Sequence, residues 1–417
     1  MRCAHHAARA FLLRARSPMP DSSSHRFSLP PSASSQTSDD RVWLHLLLFV
    51  LTLASTIYAG TLWVNRAPYY ETAGYWHMWL DGLRYAFPLL AFLTVHEFGH
   101  YFAARYHGIN TSLPYYIPFP FNGIGNFGAV IRIREPIPSM RKLFDIGASG
   151  PVAGFVVALG ILLYAFATLP PPEYLLDQPG HEALKQHIEQ YGTFPDEPPS
   201  LDTDDEETAV IVVGQTPLFW ALSQLFENVP PMYEIYHYPV LFAGWLALFF
   251  TALNLLPVGQ LDGGHVLYAL FGARWHRRLA RLFVWVLLLS GSIGFMDGLA
   301  PPLMEYSDWG YLMAWGLLAG ILYLYGRSIF RNNPALQLLS LGSLLAGTAL
   351  AELQWFGMHT IGYSGWLIWT LLIIWLIRVE HPPVRKQEPL SRGRRWVGYL
   401  CIAIFISSFS LKPLSIL

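Results

Sequence analysis

Pro88-Leu89-Leu90-Ala91-Phe92-Leu93-Thr94-Val95-His96-Glu97-Phe98-Gly99-His100-Tyr101-Phe102-Ala103-Ala104 decides how this chain is read. An H-E-x-x-H pattern sits inside a stretch apolar enough to lie in a bilayer. On a helix, His96 and His100 are four residues apart, so both imidazoles face one side and can share one zinc ion. Glu97 lies beside them as a candidate general base for water activated at that ion. The alternative, a salt-bridged surface helix, does not fit these apolar flanks. Ionisable residues inside a membrane segment are costly and mark function.

The rest of the composition agrees. Of 417 residues, 53% are hydrophobic and only 13% charged, about half the ~25% charged share of soluble domains. Fifteen Trp and 22 Tyr suit anchoring at lipid–water boundaries. A formal net charge of -1 implies no bulk attraction to nucleic acid. Two cysteines, Cys3 and Cys401, leave no room for a cysteine-rich metal site. The fold class read from this is an all-α polytopic membrane protein.

Nine segments are apolar enough, at about 20 residues per crossing, to be candidate spans: 42–64, 85–106, 144–169, 238–257, 279–299, 309–326, 335–352, 361–378 and 396–413. Every connection from an even to an odd span is basic. Arg132, Arg134, Arg141 and Lys142 follow span two, and Arg274, Arg277, Arg278 and Arg281 follow span four. Arg327 and Arg331 follow span six, and Arg385, Lys386, Arg392, Arg394 and Arg395 follow span eight. The alternate connections are not basic, and two of them are acidic, at Asp202, Asp204, Asp205, Glu206 and Glu207 and at Glu305 and Asp308. The positive-inside rule then places the N-terminus and the HEFGH end of span two on the cytoplasmic side. His96 precedes Arg105 by nine residues and so lies roughly 14 Å deep.

Residues 1–41 are rich in Ser, Pro and Arg and are expected to be a disordered basic tail. Their Arg-rich start loosely resembles a transit peptide, against which stands a plain cytoplasmic tail. Residues 42–275 would form a membrane core that includes an acidic outer loop, 170–237, expected to be poorly ordered. Residues 276–417 would add further transmembrane helices. After span two, Pro114, Pro118, Pro120, Gly123, Gly125 and Gly128 forbid a regular helix. The alternation over 128–134 predicts a short β-strand in a re-entrant loop, its free edge able to pair with an extended peptide.

A catalytic zinc takes three protein ligands and leaves a fourth position open. In Asn254-Leu255-Leu256-Pro257-Val258-Gly259-Gln260-Leu261-Asp262-Gly263-Gly264-His265, helix breakers precede Asp262 where span four ends at the cytoplasmic side. Coordination would relieve the cost of a buried carboxylate, so Asp262 is the choice for third ligand. Its rivals are Glu352, assigned to the opposite face; His265, which more naturally caps or meets the interface; His107, beyond the helix end; and Asp145, a helix N-terminal charge.

HEFGH with NLLPVGQLDGGH far downstream resembles the site-2 protease family of intramembrane zinc metalloproteases. Gly147-Ala148-Ser149-Gly150-Pro151-Val152-Ala153-Gly154-Phe155 is similar to the glycine-rich helix which that family packs between its metal-binding helices. Gly125-Asn126-Phe127-Gly128-Ala129 is similar to a motif of its plastid-type and cyanobacterial branch. The resemblance covers roughly residues 85–275. It implies one Zn2+ per chain held by His96, His100 and Asp262, water activation by Glu97, and substrate contacts at Asn254 and at Asn126, Phe127 and Gly128. The implied substrates are transmembrane proteins cut in or near their spanning segments. The expected location is a bacterial inner membrane, or a plastid membrane, with the site facing the cytoplasm. An inactive scaffold or chaperone and a metal or proton transporter are the rival functions.

Overall fold

A computed structural model describes residues 41–121, 123–179, 182–195 and 211–416. Each of the nine apolar segments carries a helix. The chain runs α1 (Val42–Val64), α2 (Ala67–Ala73), α3 (Trp76–Tyr106), β1 (Tyr115–Phe119), β2 (Gly125–Val130) and α4 (Met140–Ala167). It continues through α5 (Glu182–Tyr191), β3 (Ile211–Val213), α6 (Pro217–Ser223), α7 (Pro239–Asn254), α8 (Asp262–Tyr306), α9 (Gly310–Ile329) and α10 (Pro334–Glu352). It ends with α11 (Gly365–Leu372), α12 (Arg392–Ser408) and β4 (Leu414–Ile416). The architecture is helical with little sheet, and five helices (α1, α4, α8, α9 and α10) are long and apolar enough to cross a membrane. Trp43, Leu46, Leu47, Val50 and Leu62 of α1 point outward and are exposed. Such an apolar outer face suits lipid rather than water.

Lipid is as apolar as a leucine side chain, so helices in it associate by close packing at small residues rather than by hydrophobic collapse. A Cβ at Gly60 would stand 2.8 Å from Tyr85, and one at Gly82 would stand 2.5 Å from the Ile57 carbonyl, so α1 and α3 approach to backbone distance. Gly244 brings α7 against Leu162 of α4 in the same way. Pro88 stands inside α3 without ending it, as neighbouring helices permit in membrane helices. Gly272, at φ +77°, kinks α8.

Two expectations are corrected. The strand expected over 128–134 is instead the second arm of an antiparallel hairpin, β2 at Gly125–Val130, paired with β1 from Tyr115↔Val130 to Phe119↔Gly125. Gly125 and Gly128 take φ of +89° and +87°, a left-handed region open to glycine but costly for other residues, so the pairing starts earlier than side-chain alternation suggests. The outer segment 170–237 is not loose where it is described. It forms a 3-10 turn at Pro172–Asp177, then α5, β3 and α6. Leu175, Leu184, Ile188, Val213 and Phe219 are buried in the main core. Leu184 and Ile188 lie four apart on one face of α5, and β3 pairs with β4 near the C-terminus. Arg66 pairs with Asp177 and stacks on Tyr174 at 4.4 Å, fastening the segment to the chain ahead of α2. Residues 1–40 of the tail expected over 1–41, and the acidic run Asp202–Glu207, lie outside the described residues.

Candidate metal centre

The helical spacing of HEFGH turns His96, Glu97 and His100 inward on α3, and all three are buried. Asp262, the first residue of α8, meets them from the other side of the core. Its Oδ2 lies 3.4 Å from His96 Nε2 and 3.2 Å from His100 Nε2, and the two Nε2 atoms are 3.1 Å apart. Three donors held about 2.0–2.2 Å from one tetrahedral ion stand roughly 3.3–3.6 Å from one another. The observed triangle, 3.1–3.4 Å on a side, is within about 0.2 Å of that size. Among the described residues, these three form the only group of His, Cys, Asp or Glu able to hold a metal ion.

The hydrogen bonds fix which ring atoms carry lone pairs. His100 Nδ1 is 2.7 Å from the Ile146 carbonyl. A carbonyl only accepts, so Nδ1 carries the proton and Nε2 presents its lone pair to the centre. This is the orienting contact that metal-binding histidines usually make. His96 Nδ1 has no hydrogen-bond partner among the described residues, while its Nε2 faces His100, Asp262 and the Asn254 amide nitrogen at 3.3 Å. Lone pairs and a carboxylate oxygen converging at about 3 Å call for a cation between them.

The glycines of α4 make room for this convergence. A Cβ at Gly150 would overlap the His100 ring. A Cβ at Gly154 would come within 3.0 Å of Phe92 and 3.1 Å of His96 Nδ1, and one at Gly147 within 2.7 Å of His265 Cβ. The loop before Asp262 is equally tight: a Cβ at Gly264 would stand 2.6 Å from the Val258 carbonyl, and one at Gly263 would stand 2.7 Å from that of Leu256.

Glu97 is the buried neighbour of the trio. The hairpin is tied to α3 through Thr94 and Tyr116, whose hydroxyls are 2.7 Å apart. Of the residues expected to meet substrate, Asn254 is at the centre. Asn126 is buried, bonding Thr56 Oγ1 at 3.2 Å and accepting from Gly128 N at 3.0 Å. That holds the strand to α1 and shapes its turn. Phe127 is exposed. The rival ligands are engaged elsewhere: Glu352 with Tyr311, His265 with His381, and His107 with Asp145, which also binds Arg394. The Ile146 carbonyl has no side-chain signature in the sequence. The Gly150-Pro151-x-x-Gly154 spacing does mark the small face of α4.

The sequence model of Peptidase family M50 matches residues 84–296, which hold all four of His96, Glu97, His100 and Asp262. The chain belongs to that family. This M50 chain is 29% identical over 210 residues to the probable chloroplast zinc metalloprotease EGY2 of Oryza sativa subsp. indica, covering 50% of this chain and 33% of that protein. It is 27% identical over 265 residues to the probable chloroplast zinc metalloprotease EGY1 of Arabidopsis thaliana, covering 59% and 43%. It thus spans well under half the length of these relatives. No solved structure matches it.

Proposed function

We propose that the chain is an intramembrane zinc metalloprotease that hydrolyses peptide bonds in or near the transmembrane segments of other proteins. The observation that carries this is the triangle of His96 Nε2, His100 Nε2 and Asp262 Oδ2, with sides of 3.1–3.4 Å, beside a buried Glu97. These three residues would hold zinc, whose chemistry is to acidify water and polarise a carbonyl. Glu97 takes the proton from the attacking water and returns it to the leaving amine. Asn254 aims its amide N–H groups at the centre, where they can steady the substrate carbonyl as negative charge develops on its oxygen. A transmembrane helix hides its carbonyls in its own hydrogen bonds and must unwind first. The hairpin edge near Phe127 and Gly128 offers main-chain bonds to the unwound stretch, and Asn126 keeps that edge in place.

The nine apolar segments are read as nine spans, with the N-terminus and the centre on the cytoplasmic side and β1–β2 as a re-entrant hairpin. Residues 42–275 are the protease core, including the outer segment 170–237, and 276–417 are additional helices around it. The membrane is a bacterial inner membrane or a plastid membrane; the chloroplast names of the relatives support the second. The test is incubation of the purified chain with a model single-span substrate, with the cut mapped by mass spectrometry. The wild type should cut, zinc chelation should stop it, and Glu97→Gln should keep its zinc yet cut at least ~100-fold more slowly. Undiminished cutting by Glu97→Gln would remove the proposal.

A further inference from the structure

The segment joining α11 to α12, with the first turn of α12, is laced to α4, to α8 and to the loop that leads to Asp262. Gly259 N, in the loop leading to Asp262, donates to the Val379 carbonyl at 3.0 Å. Met140 N, opening α4, donates to the Lys386 carbonyl at 3.0 Å, and Lys386 N donates to that of Pro138 at 3.1 Å. Glu380 receives Arg281 at 2.6 Å and Arg277 at 3.0 Å, both on α8. Arg394 grips Asp145 with two bonds of 2.7 Å, and Asp145 bonds His107 at 2.9 Å, just beyond α3. Residues 378–394 lie outside the stretch matched by the M50 model, so family membership says nothing about them.

His381 is the point where this strap meets the first turns of α8. Its Nε2 is 2.8 Å from Nδ1 of His265, one turn beyond Asp262. Its ring stacks on Tyr268, one turn further, with centroids 4.4 Å apart and planes 25° apart. His381 Nδ1 lies 2.5 Å from the Pro382 carbonyl and must donate. Nε2 is therefore an acceptor, and His265 Nδ1–H donates to it. Burial holds the His381 pKa below the usual histidine range, in keeping with a neutral ring. On its other side His265 is backed by Gly147, whose added Cβ would stand 2.7 Å from the His265 Cβ. The ring is held between α4 and the strap.

We infer that His381 is a positioning residue for the metal centre, holding the first two turns of α8 so that Asp262 stays within 3.2–3.4 Å of both histidines. The inference rests on the reading of the centre as a zinc site. The test compares two substitutions in the full chain. Gln can place an amide oxygen where Nε2 stands and accept from His265; Asn is too short to reach. Zinc affinity is read by chelator competition, the ligand field from the visible spectrum of the Co2+ form, and kcat separately from KM on a single-span substrate. His381→Gln should match the wild type. His381→Asn should lose about tenfold in metal affinity, the order seen for outer-shell partners, with an altered Co2+ spectrum, lowered kcat and unchanged KM. Wild-type affinity and spectrum in His381→Asn would overturn the inference, and so would equal losses in both variants. A wild-type chain that binds no zinc would instead overturn the reading of the centre.

Discussion

Gly150 tests how tightly α4 defines the metal centre. A Cβ built at that position overlaps the His100 imidazole at Nε2, Cε1 and Cδ2 together. To reach the ~3.5 Å of ordinary carbon contact, the ring must retreat by roughly 1 Å or more. Metal–ligand distances tolerate about ±0.2 Å, so the displaced Nε2 is lost as a donor. The Nδ1 bond to the Ile146 carbonyl, now 2.7 Å, is strained with it. Gly150→Ala is therefore expected to weaken zinc binding at least ~100-fold, beyond the effect of an outer-shell change, while overpacking costs the fold only about 1–3 kcal/mol. Gly154 is the internal control. Its added Cβ meets Phe92 and His96 at 3.0–3.2 Å, which a shift of a few tenths of an ångström relieves, so Gly154→Ala should lose under ~10-fold. The assay is zinc affinity by chelator competition on both purified variants, with a thermal melt to show that each is folded. Wild-type zinc affinity in folded Gly150→Ala would refute the reasoning, as would a larger loss in Gly154→Ala.

Asp262→Asn keeps the shape of the third donor but not its charge; zinc retention should fall at least ~100-fold with the helical signal unchanged, measured by metal analysis after gel filtration. On the proposed role of the exposed Phe127 ring as a substrate contact away from the reacting bond, Phe127→Ala should raise KM several-fold on a single-span substrate with kcat unchanged. Arg66→Ala removes a nearly buried guanidinium from Asp81 and Asp177. Asp81 keeps Arg84 at 2.9 Å and Tyr70 at 3.1 Å, so the loss should be about 2 kcal/mol, below the ~3–5 of a stranded buried charge. It should show as a lowered melting temperature and faster proteolysis of the outer segment.

The parts of this molecule written in local periodicity were legible in its sequence. Nine apolar runs each became a helix, and the four-residue spacing of His96 and His100 placed both rings on one face. Asp262 was reachable because Pro257 and Gly259 announce the end of α7 before a carboxylate. What escaped depends on contacts between distant backbone atoms. The Ile146 carbonyl and the Val379 carbonyl look like any other in the sequence. Leu184 and Ile188 sit in a short helix amid acidic and proline-rich residues, where two apolar positions are too few to announce a buried face. Glycine at positive φ moved the strand, since alternation of side chains carries no record of where the hairpin turns. The bonds of Asn126 to Thr56 and Gly128 likewise leave no mark in the sequence.

The central claim is that His96, His100 and Asp262 grip one zinc ion. A zinc-edge anomalous difference map from crystals of the full chain grown with equimolar zinc tests it most directly. The expected result is a single strong peak within ~2.2 Å of His96 Nε2, His100 Nε2 and an Asp262 carboxylate oxygen. A zinc peak at another residue cluster, with these three side chains turned apart, would contradict it.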